Sequence, residues 1–254
     1  MYSRGLGRIM CLIALFHHVF DDAPLVLAAN REEEYTRGGE PPALREWGCR
    51  VIAGVDPQHG GTWLGINQHG LVVAVTNRIK SSAPAAPRSR GTLVRDLLAC
   101  STARDAVALA QRELSTTRYA GCNLLCLDRD GGTVFLAGDW LRAKPLTPGL
   151  HVLTAHDLDD PIDARQRHAR DWLEHNRPRS STDAVAKLQS LCAQTGEDGS
   201  TPICLRGAIG GTVSSTILVL RGSWQDSALW HAQGPPDRTP YNDISSLLPL
   251  LADG

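Results

Sequence analysis

Short apolar or alternating runs, each closed within a few residues by glycine, asparagine, proline or aspartate, dominate the first half of this chain and limit what it can become. Residues 11–16, 25–29, 50–54, 62–67 and 71–76 are too short and too evenly punctuated for core helices, and they read as strands. Asn67, Gln68, His69 and Gly70 predict a hairpin between the last two, because Asn and Gly tolerate positive φ, so that pair is antiparallel. Helical spacing takes over after Gly91. Leu93, Val94, Leu97 and Leu98 share one face, and Thr102 is placed to cap a second helix whose apolar face holds Ala106, Val107, Leu109 and Ala110. Strands return at 123–127 and 133–137, across the turn Asp128-Arg129-Asp130-Gly131-Gly132, and again at 150–154. Two helices follow over roughly 161–175 and 182–192, then strands at 212–220 and 227–231. In the tail, 241–251, Pro249 interrupts a helical pattern.

Two strand-rich blocks with helices between and after them predict an α+β fold, two antiparallel sheets covered by helices. With 254 residues and neither an internal repeat nor a low-complexity linker, residues 11–254 read as one domain, preceded by a non-structural or removed leader over 1–10. Segment 79–89, with Ser81-Ser82-Ala83-Pro84-Ala85-Ala86-Pro87, reads as an exposed loop, either a lid over a pocket or plain surface.

Composition excludes several classes of function. The 42% hydrophobic and 21% charged content is that of an ordinary globular chain, not a disordered or collagen-like one. The 26 basic and 27 acidic residues nearly cancel, which removes any general electrostatic reason to bind nucleic acid or an anionic membrane. Arg165, Arg167 and Arg170 accordingly read as a solvated helix face. No run approaches the ~18 apolar residues of a membrane helix. The apolar stretch 9–16 ends at His17-His18 without a small-residue cleavage site, so a cytoplasmic protein without membrane insertion is expected. The cysteines number 7, an odd set without CxxC spacing or a neighbouring His pair, and read as reduced thiols. Cys122 and Cys126 share a strand face but stand too far apart along it for a disulfide or chelate. Neither a metal nor an organic cofactor is expected.

The chemically distinctive position is Cys11, directly after Met10. A cysteine freed at a chain terminus carries its nucleophile and base on one residue: the thiol, near pKa ~8.5, and the α-amine, at ~7.7 to 8.0, can exchange a proton near neutral pH. As written, residues 1–10 block that amine. Translation from Met10 followed by methionine removal would free it, self-cleavage before Cys11 would free it, or the amine is never free. A cysteine in an apolar strand also serves as simple core filling. Polar residues near strand ends add candidates, namely Asn30-Arg31-Glu32, Thr76-Asn77 and Asn123. An asparagine amide could stabilise an oxyanion formed by attack of Cys11 on a carbonyl, while a carboxylate and an arginine hold amine and thiol in register.

Taken together, Cys11-Leu12-Ile13-Ala14, Ala29-Asn30-Arg31-Glu32-Glu33, Gly60-Gly61-Thr62-Trp63-Leu64-Gly65-Ile66-Asn67, Thr76-Asn77-Arg78, Ser89-Arg90-Gly91, Gly121-Cys122-Asn123-Leu124-Leu125 and Gly211-Thr212-Val213-Ser214-Ser215-Thr216 resemble the NRDE family, also named the transport and Golgi organisation protein 2 family. The resemblance runs from Cys11 to about Leu220. It implies a branch of the N-terminal nucleophile hydrolases, with a four-layer αββα sandwich, similar to choloylglycine hydrolase and penicillin V acylase, which cleave amide bonds. By position it makes Cys11 nucleophile and base, sets Asn30, Arg31 and Glu32 beside it, and makes Asn77 an oxyanion donor. Trp63, Asn123 and His156 are the expected substrate contacts, Trp63 for an apolar acyl group. Three positions depart from the family pattern: Glu32 stands for Asp, Ala155 for the Asn of related hydrolases, and Val213 for Arg. Neighbouring His156 is a possible substitute at 155. The implied activity is hydrolysis of a C–N amide or acyl bond of a small molecule. The alternative is a non-catalytic ligand-binding or trafficking protein, haem- or lipid-related, on the same scaffold.

Overall fold

The computed structural model describes residues 10–116 and 118–252, so the leader reading for 1–9 lies outside the described residues. The strands assemble into two fully antiparallel sheets. One orders β10 (Gly149–Leu153), β1 (Leu12–Phe20), β2 (Ala23–Glu34), β11 (Gly210–Leu220), β12 (Ala228–Ala232) and β13 (Asn242–Asp243). The other runs in sequence order through β3 (Glu40–Glu46), β4 (Arg50–Val55), β5 (Leu64–Asn67), β6 (Val72–Asn77), β7 (Cys122–Leu127), β8 (Gly132–Ala137) and β9 (Leu141–Pro145).

Strand periodicity builds the layers. On β1 and β2, Ile13, Leu15, Leu25, Leu27 and Ala29 face the second sheet, where they meet Ile52, Ile66, Val72, Leu125 and Leu127. The alternate residues Leu12, Ala14, Val26 and Ala28 face outward, under α3 (Ala164–His175) and α4 (Ser181–Cys192). On the second sheet Val51, Val73, Leu124 and Cys126 turn outward beneath α1 (Arg90–Leu97) and α2 (Ala103–Leu114). Each central strand is therefore apolar on both faces, and two helices cover each outer face. This is the expected αββα sandwich. Leu12, Leu15, Leu25, Leu27, Leu124 and Leu125 are completely buried, and each contributes about 1.5–3 kcal/mol of hydrophobic burial.

The expected Thr102 cap forms, and the structure adds others. Thr102 accepts from Asp105 N, Ser89 from Thr92 N and Asp163 from Gln166 N, satisfying amide groups that open their helices. The 67–70 hairpin also forms: Gly70 sits at φ 83°, and Asn67 Oδ1 accepts from His69 N and Leu71 N.

Four parts of the chain differ from the sequence reading. β3, with Pro41 and Pro42 inside it, is a strand that the sequence reading did not name. It survives because it is an edge strand, paired only with β4, and its ladder slips between Glu40 and Ala43 where the prolines lack donors. β9 is likewise an edge strand ending at Pro145. β2 does not close at Ala29 but continues through Asn30–Glu34, because β11 pairs with it along that length and partners are at hand for its polar side chains. The 241–251 tail contributes β13 and a 3-10 helix, Ser245–Leu251, that accommodates Pro249.

Candidate active site

Cys11 lies one residue ahead of β1, at the rim of a cavity of about 1000 Å³, counting its open mouth. Arg31, Glu32, Trp63, Asn77 and Arg90 line the same cavity. The sheets bring these residues together from β2, β6 and the segments leading into β5 and α1. The glycines of the GGTW and SRG motifs explain part of that convergence. A Cβ on Gly61 would stand 2.2 Å from the Gly91 carbonyl carbon, so only glycine lets the two backbones meet, and Thr62 N donates to Gly91 O at 3.0 Å.

Each candidate has a definite environment. Cys11 Sγ donates to the backbone oxygen of Glu32 at 3.8 Å. Although the residue as a whole is half-buried, its thiol is pushed up to about 12, first by burial and then by the nearby Glu32 charge, with Arg31 pulling the other way. Arg31 lays its guanidinium 4.2 Å from the Trp63 ring centre and donates to Gly38 O at 3.0 Å. Asn77 is exposed at the end of β6 and lines the cavity beside Cys11.

Glu32 is the electrostatic centre. Its side chain is wholly buried, and Oε1 accepts from Thr212 Oγ1 at 3.1 Å and from Arg165 at 3.2 Å. Oε2 has no partner among the described residues. Burial pushes the carboxyl up to about 7, against the pull of Arg165, Thr212 and the Leu12 backbone N–H. Arg165 also donates to the Met10 carbonyl oxygen at 2.5 Å and to Ile203 O at 2.9 Å. One guanidinium thus ties Glu32 to the peptide group that joins Met10 to Cys11.

Arg165 corrects the sequence reading. It does not lie on a solvated helix face: its side chain is only 12% exposed and turns into the site, and only its placement in the first turn of α3 brings it there. Nothing local in the sequence marked it, since its partner lies more than a hundred residues away. Thr212 was visible only as part of the GTVSST segment.

Three other expected residues take supporting positions. Asn30 faces the helical layer, not the cavity, and donates to Cys192 O at 3.0 Å and Ile203 O at 3.3 Å, fastening the end of α4 and the following loop to β2. Asn123 is buried, donates to Thr154 O at 2.9 Å and His156 O at 2.8 Å, and accepts from Arg78 at 3.1 Å. It braces the 154–156 turn and lines neither chamber beside Cys11. His156 stands 3.7 Å from both Asp160 and Asp163, outside the Cys11 cavity. Ala155 lines the adjoining cavity with Met10 and Asn77, and contributes a methyl group with no hydrogen-bonding atom. Among the described residues no group of His, Cys, Asp and Glu is arranged to hold a metal ion. No helix among them is long and apolar enough to cross a membrane.

Two antiparallel sheets between helical layers, with a cysteine at the head of a central strand, define a scaffold of the N-terminal nucleophile hydrolase kind. Solved structures agree on the fold. An N-acylethanolamine-hydrolyzing acid amidase ortholog of Caenorhabditis elegans superposes with a TM-score of 0.58 at 16% identity, over 82% of this chain and 92% of that one. A variant of the conjugated bile acid hydrolase of Clostridium perfringens gives 0.56 at 10% identity, over 92% and 93%. Residues 10–221 match the Transport and Golgi organisation 2 family, and the chain belongs to that family. The human transport and Golgi organization protein 2 homolog is 32% identical over 171 residues, 60% of this chain and 59% of the human protein. The Bos taurus homolog is 31% identical over 170 residues with the same coverage. The aligned part thus spans about three fifths of the curated relatives' length.

Proposed function

We propose that this chain is an N-terminal-cysteine hydrolase of a C–N amide or acyl bond in a small molecule, formed when residues 1–10 are removed or never made and Cys11 heads the domain 11–254. The observation that carries the reading is the unpartnered, buried Oε2 of Glu32 beside the backbone of residues 10–12. A buried carboxylate oxygen without a donor is costly, by about 1–3 kcal/mol and more when charged. A free α-ammonium on Cys11 is a donor and a cation at that place. Its arrival stabilises ionised Glu32 and, through charge, favours the thiolate that the blocked chain suppresses.

In the free form the α-amine takes the thiol proton and Sγ attacks the substrate carbonyl. The oxyanion is met by Asn77, whose amide is exposed to the cavity, and the protonated amine then passes its proton to the leaving nitrogen. Water hydrolyses the resulting thioester. Arg31 and Trp63 form a fixed wall, Glu32 holds the terminus and is itself held by Arg165, and Asn30 and Asn123 hold the loops that frame it. With Ala155 in place of an amide, the oxyanion has one side-chain donor fewer, which costs about 10²–10³ in turnover. We place the protein in the cytoplasm, acting on a soluble small molecule.

The test is a screen of amides and acyl esters with the chain starting at Cys11, beside its Cys11→Ser and Cys11→Ala variants and the blocked chain. Turnover confined to the free-cysteine form supports the reading. Ligand binding that is indifferent to Cys11 and to the leader would replace it with the second reading, a carrier or trafficking protein, which the missing donor at Ala155 favours.

A further inference from the structure

Next to the Cys11 cavity lies a second chamber of about 1280 Å³, again counting its open mouth, lined in part by Ile79, Lys80, Ser81, Ala83, Pro84 and Ala85 of the 79–89 loop. The two share Asn77, Arg90 and Ala120. The second chamber is lined by Arg78, Lys80 and Arg90 and by no carboxylate. Arg78 is neutralised by Asp157. Lys80 and Arg90 are not: among the described residues neither forms an ion pair. Each instead donates to a backbone oxygen of one short segment, Lys80 Nζ to Tyr119 O at 3.2 Å and Arg90 to Gly121 O at 2.9 Å. A lysine has three donors and an arginine five, so most of their hydrogen-bonding capacity is left for a ligand. At Trp63 the Cys11 cavity adjoins a narrow apolar slot of about 370 Å³, counting its open mouth, lined by Ile52, Leu64, Ile66, Leu218 and Leu229. Trp63 borders both spaces.

From this sequence of spaces we infer that the ligand is an acyl compound whose amine portion bears an anion, a carboxylate, sulfonate or phosphate, seated on Lys80 and Arg90, with its apolar acyl end against Trp63. The inference deepens the hydrolase reading and rests on it only for the bond between the two ends. Two unpaired cations facing a chamber without acids repel each other and attract any anion that enters. The neutral Asn77 amide lies at the junction, where the carbonyl of such a compound would sit above Cys11. The SRG motif thereby gains a role: Gly91 permits the close approach to Gly61, and Arg90 presents the charge.

The experiment measures binding by calorimetry on the full chain with N-octanoylethanolamine, which is neutral, and with N-octanoylglycine, N-octanoyltaurine and phosphorylated N-octanoylethanolamine. These share the acyl group and differ in the anion, so they also rank carboxylate, sulfonate and phosphate. At least one anionic probe should bind about tenfold or more tightly than the neutral one, as one charge-assisted hydrogen bond provides. Added salt should weaken that advantage. The Lys80→Gln/Arg90→Gln double variant should bind all four probes alike, while Arg90→Lys, which keeps the charge and serves if the double variant misfolds, should retain a preference. Equal binding of neutral and anionic probes by the native chain would overturn the inference, as would a preference that survives in the double variant. Anion-selective binding without hydrolysis in the Cys11-initiated form would leave this site standing and remove the hydrolase reading. Hydrolysis without anion preference would do the reverse.

Discussion

Replacing Glu32 by glutamine in the leader-bearing chain should abolish a specific dependence of stability on pH. The buried carboxyl is displaced from an ordinary 4.5 to about 7, because burial disfavours its charge more than Arg165 and Thr212 favour it. Between those two values the folded chain holds a proton that the unfolded chain has released, so stability falls as pH rises and levels off above about pH 7. At about 1.4 kcal/mol per pH unit, the whole displacement amounts to roughly 3 kcal/mol, and the wholly buried side chain leaves no solvent screening to discount. Other groups titrate elsewhere or in parallel. Asp56, Asp157 and Asp159 are held below their ordinary 3.8 and act at lower pH. His151 is raised and loses its contribution above 6.5, whereas buried His17 and His231 are lowered and gain stability as pH approaches 6.5. Subtracting the Glu32→Gln profile from the native one cancels all of these. Guanidinium denaturation followed by tryptophan fluorescence at pH 4.5 to 8 gives both profiles. The difference should fall by up to roughly 3 kcal/mol across the window in the blocked chain, and by much less in a chain beginning at Cys11, where the α-ammonium supplies the missing cation. A native profile that parallels Glu32→Gln throughout would refute the argument.

Gly61→Ala drives a methyl group into the Gly91 backbone and should cost about 1–3 kcal/mol, read as a fall in Tm, while separating the start of α1 from the cavity. Asn30→Ala leaves the buried carbonyl of Cys192 without its donor and leaves Ile203 O to Arg165 alone. It should destabilise by about 2 kcal/mol in denaturant, with little change in ligand affinity, because Asn30 faces away from the cavity. Ala155→Asn places an amide in the chamber shared by Met10 and Asn77. In the Cys11-initiated form it should raise turnover by about tenfold or more, measured as kcat on any amide the native form cleaves.

The sheets were legible because their inner strands announce themselves. Runs such as Leu124-Leu125-Cys126-Leu127 are buried on both faces, and the Asn67–Gly70 turn fixes a register that the neighbours inherit. Edge strands β3 and β9 were hidden, since an edge tolerates the prolines that a central strand cannot. At the site, Cys11, Arg31, Glu32, Trp63 and Asn77 line one cavity. Other expected residues lie outside it. Asn30 precedes Arg31 by one residue, so it points to the helical face of β2, a parity Glu32 shares as its carboxyl reaches Arg165 of α3, and Asn123 is consumed in bracing a turn. Arg165 stayed invisible because its meaning depends on a contact across more than a hundred residues, which no local pattern encodes.

The most direct measurement is the rate of Cys11 alkylation against pH, read by mass spectrometry of the labelled peptide so that Cys49 and Cys100 do not interfere, for the blocked chain and for the chain beginning at Cys11. The account expects the blocked thiol, held near 12, to stay inert up to pH 9, and the free-amine form to react rapidly near neutral pH, with Glu32→Gln reducing that gain. Equal inertness in both forms would show that freeing the amine does not activate Cys11 and would contradict the hydrolase account.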